Sequence, residues 1–184
     1  MNLDLAYLKN PSPMLHLFEP TIEKLQFIAN KFSTGYLYIP DELRTQEKIF
    51  QLMAHLFPYA IDPAYRPFHI YYEIKNFDGL LGFTNIIPEY KCGSFLKIWN
   101  PKVWGPTLAR ELSALADRFM DEYHLRRMEL ETADRRMVKV AKICGLQEEG
   151  AKALGFRFDG KLYTSYLLRK LKGVDKDKKR RKEG

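Results

Sequence analysis

Residues 78–112 read DGLLGFTNIIPEYKCGSFLKIWNPKVWGPTLAREL, and this stretch decides the fold. An apolar strand follows the turn at Asp78 and Gly79, a second strand ends at Trp99, and a loop carrying Gly105 runs directly into a helix. Such a loop builds an anion site, because the first N–H groups of a helix have no partner inside it. The same pattern also fits a plain strand-to-helix connection. Other features of the chain are needed to distinguish an anion site from such a connection.

Composition predicts one packed domain followed by a charged tail. The 184 residues are 46% hydrophobic and 14% aromatic, which is enough for a core and excludes wholesale disorder. Of the net charge of +7, residues 170–184 carry +5, so the body at residues 1–169 is nearly neutral. The tail is expected to be disordered, and it either solubilises the chain or contacts nucleic acid non-specifically through its Lys and Arg side chains.

Targeting signals and cysteines indicate where the protein works. No run of about 18 apolar residues exists, so no membrane-spanning helix is expected, and the N-terminal MNLDLAYLKN lacks the pattern of a secretory signal. Cys92 and Cys144 are the two cysteines, too few for a disulfide framework. The expected location is therefore a reducing compartment, the cytoplasm.

Apolar alternation and helical spacing predict a mixed order of elements. Strands are predicted at residues 15–18, 68–74, 80–87, 94–99 and 128–131, with a last hairpin at 155–168 around Asp159 and Gly160, and residues 36–39 are expected to be extended. Helices are predicted at residues 22–32, 41–56, 106–123 and 134–144. An antiparallel meander followed by a strand–helix–strand crossover gives the class α+β, or mixed α/β.

Four segments in this order resemble the GNAT superfamily of acetyl-CoA-dependent N-acetyltransferases. Residues 78–83 (DGLLGF) resemble its hairpin dG.lvGf, and residues 100–109 (NPKVWGPTLA) occupy the place of its pyrophosphate loop, P-x-x-[RQ]-G-x-G-x-[GA]. Residues 125–131 (LRRMELE) and 140–150 (VAKICGLQEEG) resemble its strand l.ri.LeV and its segment va.klGF..eG. The resemblance covers about residues 68–170 and implies a GNAT-like fold, a central, mostly antiparallel twisted sheet flanked by helices.

The resemblance implies acetyl-CoA as the cofactor. In the family, the long helix points its first N–H groups at the CoA pyrophosphate, and the pantetheine arm lies between two strands that splay apart, here residues 95–99 and 128–131. An N–H group near the thioester carbonyl stabilises the developing oxyanion. The residues implied in cofactor binding are Ile98, Trp99, Asn100, Val103, Trp104, Gly105, Thr107, Leu108 and Ala109.

The sequence departs from the family pattern at five positions. Trp104 stands in place of Arg or Gln, Thr107 in place of the middle glycine, and Pro106 removes a donor. On the following helix, Ala141 stands where the family often has its catalytic tyrosine, and Asp134 replaces a common asparagine. The general acid of the family therefore does not transfer to this chain.

Catalytic candidates come from the turns and hairpin expected to face the cleft. Tyr163 on the last hairpin and Glu89 at the second turn of the meander are the candidates, with Tyr166 and Tyr90 as their neighbours. Each of them is equally compatible with a packing or surface role. The four histidines have no metal-ligand spacing, so no metal site is predicted.

Three functions follow from these features. The first is an N-acyltransferase that moves the acetyl group of acetyl-CoA to a primary amine of a protein or small molecule. The second is an inactive GNAT-fold assembly or interaction module, similar to small bacteriophage proteins with a hairpin like FDG at 158–160, which would lie in the host cytoplasm or the virion. The third is a nucleic-acid-associated protein acting through residues 170–184. Aromatic residues within 21–67 predict an acceptor pocket, a homodimer face or plain core.

Overall fold

Seven strands form one sheet, and helices cover both of its faces. The computed structural model describes residues 12–33 and 41–172. The strands are β1 (Leu15–Leu17), β2 (His69–Ile74), β3 (Gly79–Ile87), β4 (Lys91–Ile98), β5 (Arg127–Thr132), β6 (Gln147–Phe158) and β7 (Lys161–Leu171). The α-helices are α1 (Ile22–Ser33), α2 (Gln46–Leu56), α3 (Pro106–Glu122) and α4 (Arg135–Ile143).

The strand order is β1-β2-β3-β4-β5-β7-β6. Every neighbouring pair is antiparallel except β4 and β5, which run parallel. A parallel neighbour requires a crossover connection, and α3 supplies it between β4 and β5. The predicted α+β class with a mostly antiparallel sheet flanked by helices is confirmed.

Each face of the sheet has its own apolar core. On the face that we call the α3/α4 face, Phe83 of β3 stacks on Phe119 of α3 with ring centroids 3.9 Å apart. On the opposite α1/α2 face, Ile28 and Ile49 pack in one cluster with Tyr71 of β2. Side chains of β4 pack against both cores, Leu96 and Ile98 on the α3/α4 face and Phe95 and Trp99 on the α1/α2 face.

Gly82 in the DGLLGF segment has a packing role. A Cβ built on Gly82 would lie 2.3 Å from Cε1 of Tyr71, so the tyrosine ring lies directly against the backbone of β3. The same ring contacts Phe57 at 4.8 Å and Phe95 at 6.2 Å between centroids. The glycine therefore allows an aromatic side chain from β2 to lie across β3 on the α1/α2 face.

Two element boundaries differ from the sequence prediction. Residues Asp41–Leu43 form a separate 3₁₀ turn, and α2 begins only after Thr45, whose hydroxyl accepts the N–H of Lys48 at 3.3 Å. β4 begins at Lys91 rather than at residue 94, because Glu89 adopts φ +64 and completes a tighter turn. The predicted extended segment at residues 36–39 lies outside the described residues.

The hairpin predicted around Asp159 and Gly160 is confirmed. Their φ values of 47 and 70 are those of a type I′ turn, which matches the twist of the flanking strands. The hairpin is longer than predicted, since β6 starts at Gln147. The carboxylate of Asp41 accepts both turn N–H groups at 2.8 and 2.9 Å, and Arg44 pairs with Asp159 at 2.8 Å. These contacts join the segment before α2 to the end of the sheet that carries β6 and β7.

The last strand continues into the segment assigned to the tail. β7 runs to Leu171, and Lys170 Nζ donates to the carbonyl of Cys144 at 2.9 Å and pairs with Asp117 at 2.7 Å. Lys172 pairs with Asp121. Residues 173–184 lie outside the described residues. Within the ranges that are described, no helix combines the length and the apolar character needed to cross a membrane.

Candidate functional site

β4 and β5 begin side by side and then separate. Their parallel ladder joins residues 91–93 to residues 127–129, and in the described part of the chain it ends there. The hydroxyl of Ser94 donates to the carbonyl of Glu129 at 2.9 Å and is the last link between the strands. Beyond it, β4 continues to pair with β3, and β5 with β7. A gap therefore opens between the carboxyl-terminal halves of the two strands.

The backbone of β4 offers hydrogen-bonding groups to this gap. The N–H of Trp99 donates to the carbonyl of Asp78 at 3.1 Å, so Trp99 is bonded toward β3. In an antiparallel ladder, alternate residues bond to the same neighbour. Leu96 and Ile98 therefore direct their N–H and C=O groups the other way, into the gap.

An apolar cavity lies at the gap on the α3/α4 face. Its volume is about 50 Å³. Its lining includes Ser94 and Leu96 of β4, Leu130 of β5, and Met137 and Ala141 of α4. Ala141, at the position of the family tyrosine, is buried and leaves this space open. A tyrosine from α4 would fill the cavity, so the alanine changes both the chemistry and the width of the gap.

The N-terminus of α3 lies at the end of the loop that follows β4. Gly105 is the N-cap residue, and no side chain in the described ranges caps the helix. Ala109 donates the first helical bond, to the carbonyl of Gly105 at 3.1 Å, so the N–H groups of Thr107 and Leu108 precede it. A Cβ built on Gly105 would meet nothing within 4 Å. The space beside Gly105 is therefore open, whereas Leu108 is fully buried.

The other loop N–H groups are used inside the protein. The N–H of Val103 donates to the carbonyl of Asn100 at 3.3 Å, and that of Trp104 to the carbonyl of Pro101 at 3.2 Å. The N–H of Asn100 donates to the carbonyl of Asp78 at 3.1 Å. Val103 is buried, and the Trp104 ring packs against the α3/α4 core. Of the nine residues implied in cofactor binding, Gly105 and Thr107 reach the surface at the N-terminus of α3, the N–H of Ile98 is directed at the gap, and Leu108 is fully buried.

Lys97 is a residue of this site that the sequence analysis missed. It lies on the α1/α2 face of β4, two residues after Phe95, and its Nζ is 5.9 Å from the Phe95 ring centroid. Burial lowers the pKa of Lys97 to about 8, and the charge of Asp134 opposes this shift. Partial burial favours the neutral form of Asp134, but its contacts with Arg136 and the charge of Lys97 lower its pKa overall. The alternation of residues 94–99 already indicated the face that Lys97 occupies.

The two catalytic candidates lie in different parts of the molecule. Tyr163 is half-buried and lines an open cleft of about 440 Å³ with residues 133–136, where β5 ends and α4 begins. Tyr166 lines the same cleft. Glu89 lies before β4, and its N–H donates to the carbonyl of Tyr123 at 3.0 Å. Tyr163 therefore lies in a cleft beside the carboxyl end of β5, and Glu89 lies before β4, at the end where β4 and β5 are still paired.

Two buried tyrosines in the α1/α2-face core also escaped the sequence analysis. The hydroxyls of Tyr59 and Tyr71 are buried without a hydrogen-bond partner among the described residues, and burial raises the pKa of both well above the ordinary value. Both phenols are neutral at physiological pH. Strand alternation predicted that Tyr71 faces the opposite side from Tyr72, but the close approach to Gly82 depends on the three-dimensional packing.

Several solved structures with a similar fold are acetyltransferases. The spermidine N-acetyltransferase of Vibrio cholerae, in complex with CoA and spermine, is 18% identical with a TM-score of 0.60, over 87% of this chain and 96% of that one. The acetyltransferase of Salmonella typhimurium that modifies the N-terminal serine of ribosomal protein L7/L12 is 14% identical with a TM-score of 0.63, over 89% and 98%. The microcin C7 self-immunity acetyltransferase MccE, in complex with acetyl-CoA and AMP, is 11% identical with a TM-score of 0.61, over 88% and 94%.

These likenesses show that the chain has the GNAT fold, as the four sequence segments implied. The match extends over nearly the whole length of each solved acetyltransferase. No protein-family model matches the sequence, and no curated protein sequence matches it. The fold is therefore shared with these enzymes at low sequence identity.

Proposed function

We propose that this protein is an N-acetyltransferase that transfers the acetyl group of acetyl-CoA to a primary amine. The observation that carries the proposal is the junction of two features, the gap between β4 and β5 and the uncapped N-terminus of α3. The gap can hold an extended arm by its amides, and the helix N-terminus can hold an anionic group. The solved structures with CoA or acetyl-CoA and the same fold support this assignment.

The residues fit two parts of acetyl-CoA, the pyrophosphate and the pantetheine arm. The N–H groups of Gly105 and Thr107 would hold the pyrophosphate, because backbone donors at a helix N-terminus favour negative charge. The hydroxyl of Thr107 is exposed and adds a further donor. The exposed edge of β4 at Leu96 and Ile98 would pair with the amides of the pantetheine arm, as an added strand pairs with a sheet edge.

When bound, acetyl-CoA supplies an activated acetyl group as a thioester. The acceptor amine has to lose a proton before it attacks, and the carbonyl oxygen then gains negative charge. The N–H of Ile98 is directed at the gap and would stabilise that oxygen. Tyr163, in the cleft beside the carboxyl end of β5, is our candidate for the acid that protonates the leaving sulfur. Glu89 has no role in this scheme, because it lies at the paired end of β4.

A binding protein without turnover is the second candidate. Two observations favour it: Ala141 supplies no hydroxyl from α4, and the loop residues Val103 and Trp104 have already used their N–H groups. Such a protein would bind CoA and acetyl-CoA with similar affinity and release no thiol in the presence of amines. Binding and turnover are therefore measured separately.

The test begins with thermal unfolding in acetyl-CoA and in free CoA. A ligand at about 100 times its dissociation constant stabilises the folded state by about 2.7 kcal/mol, which raises the Tm of a chain of this size by about 5–10 °C. Release of free thiol is then followed with polyamines, amino acids and peptides with free N-termini. Stabilisation with amine-dependent thiol release supports the enzyme, stabilisation alone supports the binding protein, and no stabilisation at millimolar ligand contradicts both.

A further inference from the structure

Lys97 extends from β4 where the strand has separated from β5. Its partner in the β3–β4 ladder is Leu80, which is fully buried on the α1/α2 face. Phe95 and Trp99, its neighbours on the same face of β4, pack against that core. The Lys97 side chain is half-buried, with its Nζ 5.9 Å from the Phe95 ring centroid. The amine is therefore held inside the protein, beside the gap.

A carboxylate at the end of β5 acts on the amine of Lys97. Asp134 acts on Lys97 from the turn between β5 and α4, across the gap from β4. Asp134 is itself paired with Arg136 at 2.8 Å. On the α1 side, Lys24 and Glu73 pair with each other. The charge of Asp134, at the end of β5, thus acts on the Lys97 amine in the part of β4 that has separated from β5.

We propose that Lys97 is itself an acetyl acceptor, modified by acetyl-CoA held in the gap. This inference rests on the proposed function. The unprotonated Nζ attacks the carbonyl carbon of the thioester, so that an N–C bond forms while the C–S bond breaks. The nitrogen loses one proton, the sulfur gains one, and the products are an N-acetyllysine side chain and free CoA thiol. The step needs no other reactant.

Two properties of the site favour this transfer. The N–H of the next residue, Ile98, is directed into the same gap and would stabilise the carbonyl oxygen. Because the pKa of Lys97 is lowered to about 8, about half of its amines are neutral at pH 8, whereas less than about 1% of ordinary exposed lysines are. The acetylated side chain carries no charge, so burial on this face would no longer oppose it.

Lys91 provides a matched comparison within the same strand. It also lies on the α1/α2 face of β4, but at the end where β4 and β5 are paired. Its side chain is 37% exposed, and its Nζ lies 3.7 Å from the carboxylate of Glu129. Lys91 is therefore an amine on the same strand as Lys97, but it lies where β4 and β5 are paired and not beside the gap.

The experiment incubates the full chain with acetyl-CoA at pH 8 and follows acetylation of each lysine by peptide mass spectrometry. Thermal unfolding of the same samples reports whether acetyl-CoA binds. We expect Lys97 to be acetylated at an initial rate at least about tenfold above that of Lys91 and the exposed lysines, from its larger neutral fraction. Excess free CoA should suppress it. K97R should abolish this modification with binding retained, and K91R should leave it unchanged.

Three outcomes would overturn the inference. If acetyl-CoA stabilises the protein but Lys97 stays unmodified, the self-acetylation fails while the proposed function stands. If acetylation spreads evenly over exposed lysines and ignores excess CoA, it is solution chemistry and not a property of the site. If acetyl-CoA neither binds nor acetylates Lys97, both the inference and the proposed function fail.

Discussion

Replacing Gly105 by aspartate should separate the stability of α3 from its capacity to hold a phosphate. Gly105 has an extended backbone (φ −178, ψ 172), which any residue adopts, and a Cβ there meets nothing within 4 Å. Aspartate is a good N-cap residue, and its charge suits a helix N-terminus. We therefore expect G105D to fold with stability equal to that of the wild type or higher by up to about 1 kcal/mol.

The same substitution should weaken CoA binding strongly. The new carboxylate would accept the N–H of Thr107 and so remove a charge-assisted hydrogen bond worth about 1.5–3 kcal/mol. A negative charge about 4 Å from a phosphate adds a repulsion of about 1–4 kcal/mol at effective dielectric constants between those of water and a protein surface. The sum is about 2.5–7 kcal/mol, a loss of at least about 70-fold in affinity.

Calorimetric titration of CoA into G105D, with thermal unfolding of the free variant, measures both effects. T45D is the matched control, because Thr45 caps α2 and the substitution places the same charge at the N-terminus of a different helix. We expect T45D to bind CoA as the wild type does. Wild-type affinity in G105D, or equal losses in both variants, would refute the assignment of the phosphate site to α3.

Three further predictions concern packing, charge and loop anchoring. G82A should lose about 1–3 kcal/mol of stability in chemical denaturation, since its Cβ would lie 2.3 Å from the Tyr71 ring, while G150A, with nothing within 4 Å, should change little. In the wild type, the unfolding free energy should rise between about pH 8 and 9.5, because the unfolded state there holds a proton on Lys97 that the folded state has lost. K97M should abolish this rise, which denaturation at several pH values measures. D41A should accelerate amide hydrogen exchange several-fold at the two β6–β7 turn residues whose N–H groups Asp41 accepts, and unchanged exchange would contradict the anchoring role.

The sequence predicted the parts of the fold that local chemistry determines. The Asp159–Gly160 turn needs two positive φ values, and the apolar alternation of residues 68–74 predicts a strand, which the structure buries on both faces. The start of α2 was predicted too early, because Pro40 and Asp41 also suit a helix start. In the structure the helix begins after Thr45, which caps it. Similarly, the turn before β4 is tighter than its residues suggested, since Glu89 accepts a positive φ.

The candidate site was less predictable, because it depends on which backbone groups remain unused after folding. The motif predicted an anion site at the loop, but it could not tell that Asn100 and Pro101 accept the N–H groups of Val103 and Trp104. The role of Lys97 depends on the separation of β4 from β5, a property of two strands distant in sequence.

The most direct test of the account is a titration of the ¹⁵N-labelled protein with acetyl-CoA, followed by amide NMR. The central claim is that the cofactor lies along β4 and ends at α3. It predicts that the largest shifts occur at Gly105, Thr107 and Leu108 and at the gap-facing amides of Leu96 and Ile98, with Glu89 and its turn unaffected. Saturable binding with shifts confined to other surfaces, or no shifts at millimolar acetyl-CoA, would contradict it.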